Sequence, residues 1–238
     1  MGIGPFSMSL HSSVAVPIGR RQRRRTETRE RIFRAALGLF AEHGFTATTV
    51  EEITEAADVG KGTFFNYFRS KEGVLGALAE VQLDKYAHAI QAAESGALTP
   101  RQALRELWLR LPEEPGRSQA LVRSLMVAFL TNQAVREKMS HSLEHGRGML
   151  ASLFTRAQDR GEARCDRGPL ELAWAFQRKL LGTVLVWTLG PPAPLKPLLE
   201  ASFEDFWRGA GNHPSKPKPR LLGTAAGGQS GHTQKGRR

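Results

Sequence analysis

The chain has one cysteine, Cys165, so no intramolecular disulfide staples it, and a lone thiol fits a reducing cytoplasm. No run of about 18 apolar residues exists, which excludes a membrane-spanning helix. Strand-type alternation is missing, and so is any internal repeat. Catalytic constellations are missing too. No glycine-rich phosphate loop follows a strand, and no Ser-His-Asp or Cys-His arrangement has local support, so the sequence names no cofactor and does not read as an enzyme. The run from His141 to His145, with Glu144 between, matches an inverted zinc-peptidase spacing. Its polar neighbours and the want of a third ligand make it a solvated helix face rather than a metal site.

Acid is absent from two stretches. Residues 20 to 25 hold Arg20, Arg21, Arg23, Arg24 and Arg25, and from 211 onward come Lys216, Lys218, Arg220, Lys235, Arg237 and Arg238. These eleven cations equal the formal excess of +11, and the other 23 of the 34 basic residues balance 23 acids. A neutral body with two basic ends points to a polyanion, commonly nucleic acid. The arginine run, with Arg23, Arg24 and Arg25 nearest the fold, is expected to act as an N-terminal arm in a minor groove. The C-terminal run is expected only to aid solubility.

What is present is helical. At 238 residues and 40% hydrophobic composition the chain can bury a sizeable core in one or two domains. Residues 1–19, rich in Gly, Pro and Ser without charge, read as an unstructured extension, and 211–238 as an unstructured basic tail. A first helix from about Thr26 to His43 carries the stripe Ile32, Phe33, Ala36, Leu37, Phe40, and Gly44 ends it. Ser70 caps a fourth helix reaching about Glu94. Further helices are expected over 99–111, through Leu121 to Leu130, over 134–160, and over about 169–189 and 194–208. Helix 169–189 is apolar nearly all round, so it is expected to pack on a partner subunit as well as on its own domain.

Between the first and fourth helices the residues are most specific. Thr49 with Glu52 is a capping box, Val50 and Ile53 face inward, and Asp58 stands where the chain must turn through the left-handed region. A short helix from about Lys61 follows, anchored by Phe64, Phe68 and also Phe65, with Lys61, Thr63, Asn66 and Tyr67 outward. Small residues at its start, Gly60 and Gly62, let such a helix enter a major groove, where polar and basic side chains reach bases and phosphates. An ordinary helical hairpin with a polar face has the same pattern.

From Thr28 to Leu78 the chain resembles the DNA-binding domain of the tetracycline-repressor (TetR) family. Thr49, Ile53, Ala57, Val59, Gly62-Thr63, Phe64 to Phe68 and Ser70-Lys71-Glu72 fall in the family's register. Four positions depart from it. Thr54 and Asp58 stand for the usual alanine and glycine, Gly60 for a capping serine, and Phe65 for a tyrosine. The last two remove hydrogen-bonding groups, so backbone anchoring through this helix is expected to be weaker.

The resemblance implies an all-α homodimer: a helix-turn-helix domain over 20–70 and a larger ligand-sensing and dimerisation domain over 71–210, joined by the fourth helix and paired through the last two. It implies a cytoplasmic regulator, expected to be a repressor released from a palindromic operator by a small effector. Thr49 and Lys71 would meet phosphate. Candidates to line an effector cavity are Trp108, Met126, Phe129, Phe154, Trp174, Gln177 and Arg178, which are large, adaptable or polar within apolar helices. Two other readings of the same residues stand beside this one: a sequence-tolerant DNA binder acting through its basic ends, and a small-molecule-binding dimer whose DNA module has decayed.

Overall fold

Local polar chemistry decides where most of the helices begin. The computed structural model describes residues 19–212. Among them the chain forms α1 (Arg20–Glu42), α2 (Val50–Ala56), α3 (Lys61–Tyr67), α4 (Lys71–Glu94), α5 (Pro100–Arg110), α6 (Gln119–Thr131), α7 (Gln133–Asp159), α8 (Pro169–Leu189) and α9 (Leu195–Ala210), with a 3-10 turn at Pro115–Arg117. The fold is all-α. Thr49 and Thr99 close capping boxes with Glu52 and Gln102, while Ser70, Ser118 and Asn132 accept the backbone N–H three residues on. Gly44, Gly96 and Gly161 take positive φ of 86°, 73° and 70° just past α1, α4 and α7, where only glycine turns the chain without strain. Asp58, between α2 and α3, turns at φ 49°.

Two apolar cores result. The N-terminal one gathers Ile32, Phe33 and Phe40 of α1, Ile53 of α2, Phe64 of α3 and Phe68 just after it, and runs on into Val74 and Leu78 of α4. Leu121, Leu125 and Ala128 of α6 close it from the far side. The second core is aromatic: Trp108 of α5 meets Phe176 of α8 and Phe206 of α9 at ring-centroid distances of 4.8 and 5.5 Å. Its indole N–H donates to the Leu199 carbonyl. Tyr86 of α4 packs into the groove left by Gly146 of α7, where a Cβ would lie 2.9 Å from its ring. Burial pushes its phenol up to about 12.

The sixth helix belongs to both cores. Ser124 Oγ accepts the N–H of Phe45 at 2.8 Å, a buried bond to the loop after α1. Beside it and a turn earlier, Arg123 and Gln119 donate to Thr188 and Trp187 carbonyls at the end of α8, over 3.0 and 2.8 Å. A cation there also suits the negative end of the helix dipole.

Several expectations are corrected. The arginine run does not precede the first helix: residues 20–25 are the first turns of α1, which begins six residues before the expected start near Thr26. Arginine and glutamine are good helix formers, and a preformed helix extends into solvent at small cost per residue. Phe65 is 52% exposed and anchors nothing, because Phe64 and Phe68, four apart, take the inner face. Phe129 packs against the N-terminal core, not the second one. Gly211 and Asn212 do not open the tail. The bridge Ala163 to Gly211 and the bond from Asn212 N–H to the Glu162 carbonyl tie them to the α7–α8 loop. The rest of the expected tail, and of the extension before Gly19, lies outside the described residues.

Candidate nucleic-acid interface

Helix α3 is short and stands on two phenylalanines. Phe64 and Phe68 fix its inner face, leaving Lys61, Gly62 and Asn66 exposed and Thr63 half-buried. Gly60 supplies the N-cap backbone but no side chain, so the first N–H groups of α3 have no local side-chain acceptor. Lys61 Nζ reaches back to Glu51 Oε1 at 2.5 Å. That contact holds the Glu51 carboxyl below its usual range. Both groups are well exposed, so phosphate can compete for the ammonium. Tyr67 is half-buried against the N-terminal core, less outward than its position implied.

Thr49 does what its spacing required. Its hydroxyl accepts the Glu52 N–H and donates to the Glu52 carboxylate, which also accepts the Thr49 N–H at 2.7 Å. Lys71 is engaged within the chain. Its ammonium donates to the carbonyls of Phe45, Thr46 and Thr48 at 2.9, 2.9 and 2.8 Å, spending all three protons on the α1–α2 loop. It also sits 4.9 Å from the Phe45 ring centroid.

Sequence reasoning placed Arg21 only within the basic run and did not name Arg29. Their spacing from Arg25, four residues either way, was the available signal. Arg21, Arg25 and Arg29 line a groove of about 800 Å³ that ends at Asn66 and Tyr67 of α3. Arg29 is held there by Glu80 at 2.9 Å and by the Phe68 ring.

The effector candidates are not brought together. Trp108 and Phe154 lie in the aromatic core and Met126 at its edge. Gln177 is buried, donating to the Leu143 carbonyl and accepting from Arg147. Trp174 lies on the outer face of α8, with the guanidinium carbons of Arg147 and Arg178 at 3.6 and 4.8 Å from its ring centroid. His141, Glu144 and His145 are exposed on α7, and no group of three metal-ligating side chains occurs among the described residues.

Comparison with known proteins agrees with this geometry. The family model of bacterial regulatory proteins of the tetR family matches residues 32–78, the span from mid-α1 into α4. The transcriptional regulator AcuR of Cereibacter sphaeroides is 34% identical over 161 residues, 65% of this chain and 73% of that protein. The crystal structure of a regulatory protein TetR from Rhodobacter sphaeroides superposes with a TM-score of 0.60 at 31% identity, over 77% of this chain and 98% of that one. SmeT, solved in complex with triclosan, shares the fold at a TM-score of 0.64 and 23% identity, over 78% of this chain and 92% of that one. With its helix-turn-helix exposed over a phenylalanine base and AcuR matched across most of its length, the chain belongs to the TetR family of DNA-binding transcriptional regulators.

Proposed function

We propose that the protein is a homodimeric repressor that holds a near-palindromic operator and leaves it when a small, largely apolar molecule occupies residues 71–210. The observation that carries the reading is the face of α3: Lys61, Thr63 and Asn66 stand outward on a helix pinned by Phe64, and glycines at its start let the backbone approach a groove wall. Within residues 20–70, Lys61, Thr63 and Asn66 read bases, while Tyr67, the start of α2 at Thr49 and the basic start of α1 meet phosphate. Lys71 is withdrawn from this set and positions the loop before α2 instead.

The dimer forms through α8 and α9. Leu170, Leu181, Leu185, Val186 and Leu189 of α8 and Leu198 of α9 are all exposed, an apolar face that a second copy would bury. No helix among the described residues is long and apolar enough to cross a membrane, and the reading places the dimer with its DNA in the cytoplasm. SmeT was solved with triclosan. For this chain a comparably small, apolar effector is supported by Met126 and Met149, adaptable side chains packed at the edge of the aromatic core. Release requires the effector to prefer the DNA-incompetent arrangement, since equal affinity shifts nothing.

The test is a genomic selection. Purified protein is incubated with sheared DNA from its own source at near-physiological salt, and the captured fragments are sequenced. Enrichment of one or a few palindrome-bearing fragments is expected. Uniform retention would favour sequence-tolerant binding, and retention of nothing would favour a decayed DNA module.

A further inference from the structure

We infer that the helical start of α1 is a backbone-tracking element, which lays Arg21 and Arg25 along the phosphates of one DNA strand flanking the base pairs that α3 reads. The inference rests on the operator-binding reading and sharpens it. Arg21, Arg25 and Arg29 recur every four residues, so they share one face and are spaced by roughly 6 Å along the axis, close to the step between neighbouring phosphates of a strand. That face forms one wall of the groove that Asn66 and Tyr67 close at the end of α3. Arg29, pinned by Glu80 and Phe68, fixes the inner end of the row.

The segment is also charged against its own stability. The first turn of α1 holds no acid, although the positive end of a helix dipole favours one. Arg20 with Arg24, and Arg21 with Arg25, are like charges one turn apart, and Arg23 with Glu27 at 2.9 Å is the one opposing pair in this stretch. The guanidinium groups of Arg20, Arg21, Arg24 and Arg25 have no carboxylate partner among the described residues. A polyanion along the row supplies what the sequence leaves out. The minor groove does not fit this form: a helix with its side chains is about 10–12 Å across and that groove about 6 Å wide. The backbone ridge beside the major groove has no such limit.

The experiment measures affinity against salt, by fluorescence anisotropy, for a duplex carrying the recovered palindrome with long flanks or with flanks trimmed to its edges. Wild type is expected to lose affinity and salt slope when the flanks go. R21Q/R25Q should lower the slope on the flanked duplex by about 0.9 for each lost phosphate contact, weaken binding on the order of tenfold, and become indifferent to trimming. R20Q/R24Q removes the same charge from another face and should lower the slope by less than R21Q/R25Q does. Thr26→Pro keeps every arginine but breaks the helix below them, outside the core that begins at Ile32. It should behave as R21Q/R25Q, with thermal melts confirming a folded module; if it fails to fold, the two arginine pairs still decide. Equal slopes for the two pairs, or a folded Thr26→Pro protein that binds as wild type, overturn the inference. Wild type that binds no duplex in a salt-dependent way overturns the operator reading itself.

Discussion

Two exposed faces of this molecule, that of α3 and that of α8, are each incomplete in one chain, and they are incomplete in opposite ways. The α3 face is small, polar and cationic, with Phe65 as its one large apolar side chain. The α8 face is apolar, with Val186 and Leu189 exposed to 64% and 76%. The first can be satisfied by a hydrated polyanion that keeps its water. The second gains only by excluding water, at roughly 25 cal/mol per Å² of apolar surface covered. On the proposed reading, polarity at solvent positions tells the partners apart: nucleic acid for α3, a second copy of the chain for α8. The difference also predicts salt behaviour, since added salt should weaken the first contact and leave the second nearly unchanged.

The comparison breaks most visibly at α8. Leu181→Arg with Leu185→Arg replaces two exposed side chains, so each chain should stay folded while the dimer dissociates and the melting temperature loses its dependence on protein concentration. Operator affinity should then fall by about 10²–10⁴-fold, because two half-sites no longer bind as a linked pair. Sedimentation of the variant together with its anisotropy titration checks both halves. A variant that stays dimeric would remove α8 from the interface.

Lys71→Met sharpens the boundary between reading DNA and building the reader. It deletes three charge-assisted bonds to the α1–α2 loop, and a loss on the order of 2 kcal/mol in urea unfolding is expected. Operator affinity measured well below the unfolding transition should change little. The reverse pattern would return Lys71 to the phosphate contacts. Asn66→Ala should do the opposite of Lys71→Met: no change in unfolding, since its side chain is exposed, and about 1–3 kcal/mol lost on operator DNA with relaxed preference at one base pair. Competition against single-base variants of the operator measures it.

How much of this was legible in the sequence varied along the chain. The α2–α3 pair was legible because local rules act there within three or four residues, as in the Thr49–Glu52 box and the Phe64–Phe68 anchors. The long helices were legible through their apolar stripes. What failed depended on distance or on the absence of a stripe. Lys71 finds its carbonyls in a loop 23 to 26 residues earlier, a contact no spacing encodes. The start of α1 carries no apolar side chain, so periodicity stopped where helix propensity did not. Phe129 went to the other core because α6 divides its faces between two neighbours, which looks in the sequence like one broad apolar helix. Among the effector candidates, size named Trp108 and Trp174 alike, and only packing separates a core ring from a surface one.

The smallest expected effect tests the base on which α3 stands. The Glu52 carboxylate is held below the usual glutamate value of 4.5, first by the Thr49 N–H and then by the Thr49 hydroxyl. Because the folded pKa is the depressed one, this contact contributes stability that is fully present above about 4.5 and is lost as pH falls through the folded value. Below that range the protonated acid no longer holds the Thr49 N–H as strongly, and α2 should fray at its first turn. Glu52→Gln keeps a carbonyl acceptor for the same N–H without the charge. It should therefore match the wild type in acid, fall slightly below it at neutral pH, and flatten the pH dependence of melting between them. Helicity followed against pH for both proteins gives the comparison directly. If the two curves stay parallel from neutral pH into acid, the box is held by shape alone and its charge contributes nothing to presenting α3.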